Sequence, residues 1–194
     1  MPVASPGDDE ITRWALAARA GDRAAAAAFI RATQHDVYRF VAHLAGQAEA
    51  EDLTQETYLR AMRSLSRFAG RSSAKTWLFT IARRVAVDHI RMAVRRPRIA
   101  DLEDWQGTAD AALSREPGSF EDGVLLWQTL ASLPLDRREA FVATQVAGLS
   151  YAEAAQVCGC PVGTIRSRVA RAREELVAAV RSAERAGRPL RRTS

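Results

Sequence analysis

Apolar residues recur three and four positions apart through most of this chain, the spacing of one helix face, and no segment is rich in strand-like alternation. From Ile11 to Ala45 the pattern runs through Trp14, Phe29, Ile30, Val37, Phe40, Val41 and Leu44, with punctuation at Gly21-Asp22 and Gly46-Gln47. Glu49 to Phe68 is predicted helical, with Ala50, Leu53, Thr57, Ala61 and Leu65 inward. After a Gly/Ser loop at 69–73, a long helix is expected over Ala74 to Val94. Its inner side is Leu78, Ile81, Ala82, Val85, His89 and Met92. Its outer stripe is Thr76, Thr80, Arg84, Val87 and Arg91. Phe120 to Leu133 and Pro134 to Ala147 read as two further helices, with Leu126, Trp127, Leu130, Leu133, Phe141, Val142 and Val146 as core.

The stretch Gly148 to Leu176 reads as two helices around a tight turn. Ser150 followed by Glu153 has capping-box spacing, and Ala152, Ala155 and Val157 give the first helix an apolar side. Cys158-Gly159-Cys160-Pro161 ends it, because Gly frees the backbone and Pro can only begin the next helix. In that next helix Ile165, Val169, Ala172 and Leu176 form an apolar stripe. Gly163, Ser167, Ala170 and Arg171 lie opposite, with Arg166 beside them. Small residues let a helix sit deep in a major groove, while Ser and Arg reach base edges or phosphates. The alternative is a basic amphipathic helix with a solvated face.

Charge divides the chain. The 194 residues carry a net charge of +5, suited to a polyanionic partner. Arg accounts for all but one of the 28 basic residues, Lys75 being the exception. From Lys75 to Arg98 basic residues outnumber the single acid, Asp88, and interleave with Trp77 and Phe79. This is a second candidate nucleic-acid surface, on which the aromatics either stack bases or fill the core. Asp101 to Leu133 is acidic except for Arg115. On the 49–68 helix, Asp52, Gln55, Glu56 and Leu59 share a face, fit either to dock a basic helix or to meet water.

Several functions lack their residues. The sequence holds no phosphate loop, dinucleotide fingerprint or zinc-protease pattern. His35, His43 and His89 are scattered without a nucleophile partner, and Cys158-x-Cys160 lacks a second ligand pair for zinc. No catalytic residue, metal or cofactor is expected. No apolar run reaches 18 residues and the start resembles no signal peptide, so the expected location is the cytoplasm. The expected architecture is all-α: a flexible tail (1–10), a helical domain (11–97), a flexible acidic linker (98–119), a four-helix helix-turn-helix domain (120–187) and a basic tail (188–194).

Three motifs carry a family resemblance: EDLTQETYLRA (51–61), TWLFTIARRVAVDHIR (76–91) and GLSYAEAAQVCGCPVGTIRSRVARARE (148–174). In this order and spacing, the chain resembles the extracytoplasmic-function (ECF) sigma factors of bacterial RNA polymerase, leaning toward their SigC-type branch. The resemblance implies a non-enzymatic promoter-specificity subunit. It implies docking on the clamp helices of the largest polymerase subunit through Asp52, Gln55, Glu56 and Leu59, and a contact to the flap of the second-largest. It implies recognition and opening of the −10 element by Ser72, Ser73, Lys75, Thr76, Trp77, Thr80, Arg83, Arg84, Val87, Asp88 and Arg91. Reading of the −35 element falls to Gly163, Thr164, Arg166, Ser167, Ala170, Arg171 and Arg173. An anti-sigma factor is a further implied partner, and the acidic 101–122 stretch fits the family's linker, which threads the RNA exit path. One residue departs from the pattern: Arg84 stands where many relatives carry Asn. Asn bonds a base edge bidentately, whereas Arg prefers guanine or phosphate, so the −10 base preference is not transferable. Without the first domain's surfaces, the chain would read instead as a self-sufficient helix-turn-helix regulator.

Overall fold

A computed structural model describes residues 7–95 and 129–186, and every regular element among them is helical. The expected linker and both terminal tails, with Leu126 and Trp127, lie outside the described residues, apart from the few tail residues from Gly7 to Glu10. α1 spans Asp8–Arg19 and so begins before the expected boundary at Ile11; Asp8, Asp9 and Glu10 occupy its first turn, where carboxylates suit the positive end of the helix dipole. α2 (Arg23–Ala45) is capped by Asp22, whose side chain accepts from the Ala24 and Ala25 amides. α3 (Ala50–Ser64) runs into a short 3-10 turn, Leu65–Arg67. α4 (Ala74–Arg95) is capped by Ser73, whose hydroxyl accepts from the Thr76 amide at 3.1 Å.

The first unit packs these four helices around Phe29, Phe40, Leu44, Leu78 and Phe79, all fully buried. Phe40 and Phe79 meet edge to face with centroids 4.9 Å apart. The inward set expected for α3 (Ala50, Leu53, Thr57, Ala61) and the following Leu65 is buried throughout. On α4, Met92 is more than half exposed and not part of the inner side, because the helix has by then run past its packing partners.

The second unit begins with helical residues 129–132. α5 (Leu135–Phe141) then widens into a π-helical turn, Val142–Val146, shown by the Ala147 amide donating to the Val142 carbonyl at 3.0 Å. α6 (Tyr151–Cys158) and α7 (Val162–Ala186) complete it. The capping box forms as expected: the Glu153 amide donates to Ser150 Oγ at 3.2 Å and the Ser150 amide to Glu153 Oε2 at 2.9 Å. Gly159 adopts φ 65°, a left-handed cap that a side chain would strain. Ala154, not Ala152, joins Ala155 and Val157 in the core of α6; Ala152 faces solvent.

The two units share one apolar cluster. It runs from Ile11, Phe40 and Phe79 through Val142, Ala154 and Val157 to Ile165 and Val169. Phe40 lies in its first half. Phe40→Ala should lower the unfolding free energy by about 3–5 kcal/mol, read from urea unfolding. A loss well below ~1 kcal/mol would mean that this core is not centred on Phe40.

Candidate nucleic-acid interface

The stripe expected on the outside of α4 divides in two. Thr76 and Val87 are buried, with Thr80 half-buried between them, while Arg84 and Arg91 stand in solvent without ion-pair partners among the described residues. The placement of Thr76 and Val87 on an exposed face is thus corrected, and the reason at Thr76 is tertiary: the second unit packs there. Thr76 Oγ1 donates to Glu153 Oε1 at 3.2 Å. Arg83, about two turns along the same face, directs Nε and Nη2 onto Glu139 Oε2 at 2.9 and 2.8 Å. Glu139 is almost wholly buried.

The rest of the expected −10 set surrounds that seam. Ser72 is half-buried in the loop, and Ser73 caps α4 and touches the Thr76 hydroxyl at 2.9 Å. Lys75 pairs with Asp36 of α2 at 3.0 Å. Trp77 leans on Phe68 with centroids 5.0 Å apart, and Phe79 is core, so the aromatics serve packing in this conformation. Asp88 faces Arg60 at 3.7 Å.

On α7 the apolar stripe Ile165, Val169 and Ala172 is buried. Gly163, Arg166, Ser167, Ala170, Arg171 and Arg173 are exposed, and Thr164 is half-buried with its carbonyl accepting from Ser167 Oγ at 3.0 Å. Among the described residues beyond its own turn of helix, no atom lies within 4 Å of a Cβ placed on Gly163, so that end of the helix is uncrowded. The arginines divide by partner. Arg168 is spent inside the unit, on Asp136 at 3.2 Å and Cys160 Sγ at 3.7 Å. Arg173 rests on Gln145 at 2.9 Å. Arg166 and Arg171 have no partner among the described residues. On α3, Asp52, Gln55 and Leu59 are exposed, and Glu56 pairs with Arg60 at 2.6 Å.

Glu139, Arg138 and Gln145 escaped the reading of the sequence. Glu139 carried a signal: it heads the run Glu139, Val142, Ala143, Val146, a charge at a core position of an apolar face. The role of Glu153 in holding Thr76 had none, since its cap already accounts for it. Burial pushes the Glu153 carboxyl up, but the Ser150 side chain and amide, Thr76 and the Lys75 charge outweigh it, leaving its pKa below the usual value. Burial likewise holds the Cys158 thiol protonated, pushed up to about 12. Among the described residues no acid, His or Cys cluster fits a metal ion.

Comparison with known proteins resolves what this arrangement belongs to. A family model for Sigma-70 region 2 matches residues 29–96, and one for Sigma-70, region 4, matches 124–176. The ECF RNA polymerase sigma factor SigC of Mycobacterium tuberculosis is 51% identical over 178 residues, covering 92% of this chain and 95% of that protein. The chain belongs to the ECF sigma factors. It is an alternative sigma factor that directs promoter-specific transcription initiation. Solved structures agree in fold. CnrH in complex with the cytosolic domain of CnrY aligns with TM-score 0.70 at 23% identity, covering 91% of this chain and 99% of that one. The sigma factor RpoE in complex with the anti-sigma factor NepR from Bartonella quintana aligns with TM-score 0.63 at 30% identity, covering 78% and 94%. None of the described helices of this sigma factor is long and apolar enough to cross a membrane.

A carboxyl whose pKa is depressed by a contact strengthens that contact above its ordinary pKa and loses it as pH falls through the depressed one. Part of the depression of Glu153 comes from Thr76 and Lys75 of the first unit. The seam should therefore loosen on acidification below the usual carboxylate range, seen as a larger radius of gyration in small-angle scattering. Glu153→Gln should reduce that pH dependence, and an unchanged dependence in the variant would remove Glu153 from the seam's titration.

Proposed function

We propose that this chain is a non-enzymatic, cytoplasmic sigma subunit whose residues divide three tasks. Residues 11–97 hold the core polymerase and the −10 element, and residues 120–187 hold the −35 element, joined through 98–119. The acidic 101–122 stretch enters the RNA exit path, and the second unit meets the flap of the second-largest subunit. Asp52, Gln55, Glu56 and Leu59 dock on the clamp helices, their acidic and apolar side chains fitting a basic partner with an apolar socket. Docking should be lost in Asp52→Arg with Glu56→Arg, since like charges facing across an interface cost several kcal/mol. Normal retention of core polymerase by a folded double variant would remove this stripe from the interface.

Ser72 to Arg91 take the −10 strand. Arg84 and Arg91, exposed and without ion-pair partners among the described residues, meet its backbone first; Thr76 and Arg83 follow once the second unit leaves, with Thr80 beside them. An anti-sigma factor is a further proposed partner, supported by the RpoE relative's complex with one.

The observation that carries the −35 assignment is the exposed Gly163, Ser167, Ala170 and Arg171 face opposite a buried Ile165, Val169 and Ala172 stripe. Arg171, exposed at the centre of that face and without a partner among the described residues, reads base edges, where a bidentate arginine–guanine pair discriminates by about 1–3 kcal/mol. Arg166 and Arg173 lie toward the flanks and hold phosphate. Run-off transcription with core polymerase and mapped promoter variants tests both. Arg171→Ala should flatten preference at one −35 position, while Arg173→Ala should weaken all sequences alike and lower the salt dependence. Equal, sequence-independent losses in both would make Arg171 a phosphate clamp.

A further inference from the structure

The two DNA-facing helices stand in different states within one conformation. On α4, Thr76 and Arg83 are engaged by Glu153 and Glu139 of the second unit. On α7, Arg166 and Arg171 point into solvent. The reason is geometric. Ile165 and Val169 turn the apolar side of α7 onto the second unit's own helices, while the first unit meets that unit through α6 and the π turn, so the basic face of α7 stays outside the seam. The docking stripe of α3 is also uncovered, with Leu59 53% exposed.

We infer that closure of this chain is selective: it withholds the −10 face while leaving the −35 face, so the closed chain binds duplex DNA before it opens. The inference rests on α7 being the −35 helix. The covered α4 side chains become available only when the units part, so single-strand binding is diluted by the closed population and duplex binding is not. Residues 96–128 tether the units, which makes the contact intramolecular and lets a modest interface stay closed.

The test uses the full chain and Glu139→Lys, which sets a second cation against Arg83. An increased radius of gyration with unchanged circular dichroism verifies opening, and Glu139→Gln supplies a milder opening if the first variant folds poorly. One probe is a duplex selected from a random pool by either protein. The other is the non-template −10 strand of a promoter mapped by run-off transcription. Both proteins should bind the duplex with closely similar affinity. The opened variant should bind the strand about tenfold tighter or better, the factor by which closure diluted the competent form. Equal gains on duplex and strand would show that closure hides both faces, and no gain on the strand would show that it hides neither; each overturns the inference. If only the opened variant selects a duplex, the inference falls and the α7 assignment stands. If neither protein selects one, both fall.

Discussion

The Arg83–Glu139 pair sits where the two halves of the molecule meet. Both groups are largely removed from water, and Arg83 sends two donors to one carboxylate oxygen. Burying two charges costs nearly what their attraction returns, so such a pair adds little net attraction but penalises strongly any arrangement that leaves one charge alone. It therefore sets which face of α4 meets the second unit. The attraction comes from apolar surface beside it, contributed by Val142, Ala143, Ala154 and Val157. When the units separate, both charges regain water. That combination suits an interface that must be specific when shut and still open.

Arg138 strengthens the same seam by another route. Its guanidinium donates to the Leu44 carbonyl at the end of α2 at 2.9 Å. It also donates to the Ala131 carbonyl at 2.8 Å and, at 3.3 Å, to that of Leu133. One cation thus meets the negative ends of two helices, one from each unit, where carbonyls lack partners within their helices. Burial lowers the pKa of this guanidinium, with the Glu139 charge opposing the shift. The helix that carries Glu139 and Arg138 widens into a π turn just beyond them, keeping Val142 and Ala143 both buried at the shared core.

Periodicity made the helices legible because each buries one face. The α3 and α7 stripes matched residue for residue up to Ala172, and the capping box at Ser150 could be read from two residues. Where reading failed, the cause was a partner distant in sequence. Thr76 looks like a solvent residue until Glu153 lies against it, 77 positions away. Ala152 and Ala154 are chemically the same, and only the docking direction of α6 decides which is buried. Met92 keeps the inward period of α4 but outruns the helices that would cover it. The basic stripes of α4 and α7 were legible in the sequence; that one of them would be covered by the second unit was not, since no local pattern encodes the docking of one helix bundle on another.

In the proposed function, α4 is a surface with two exclusive occupants, the second unit or the −10 strand. The distance between dyes on the exposed faces of α2 and α7 reports this most directly, measured by energy transfer in the free chain and in the open promoter complex with core polymerase. The expected result is a short, uniform distance in the free chain and a clearly longer one in the open complex. A distance unchanged between the two, in a complex with its promoter melted, would contradict it.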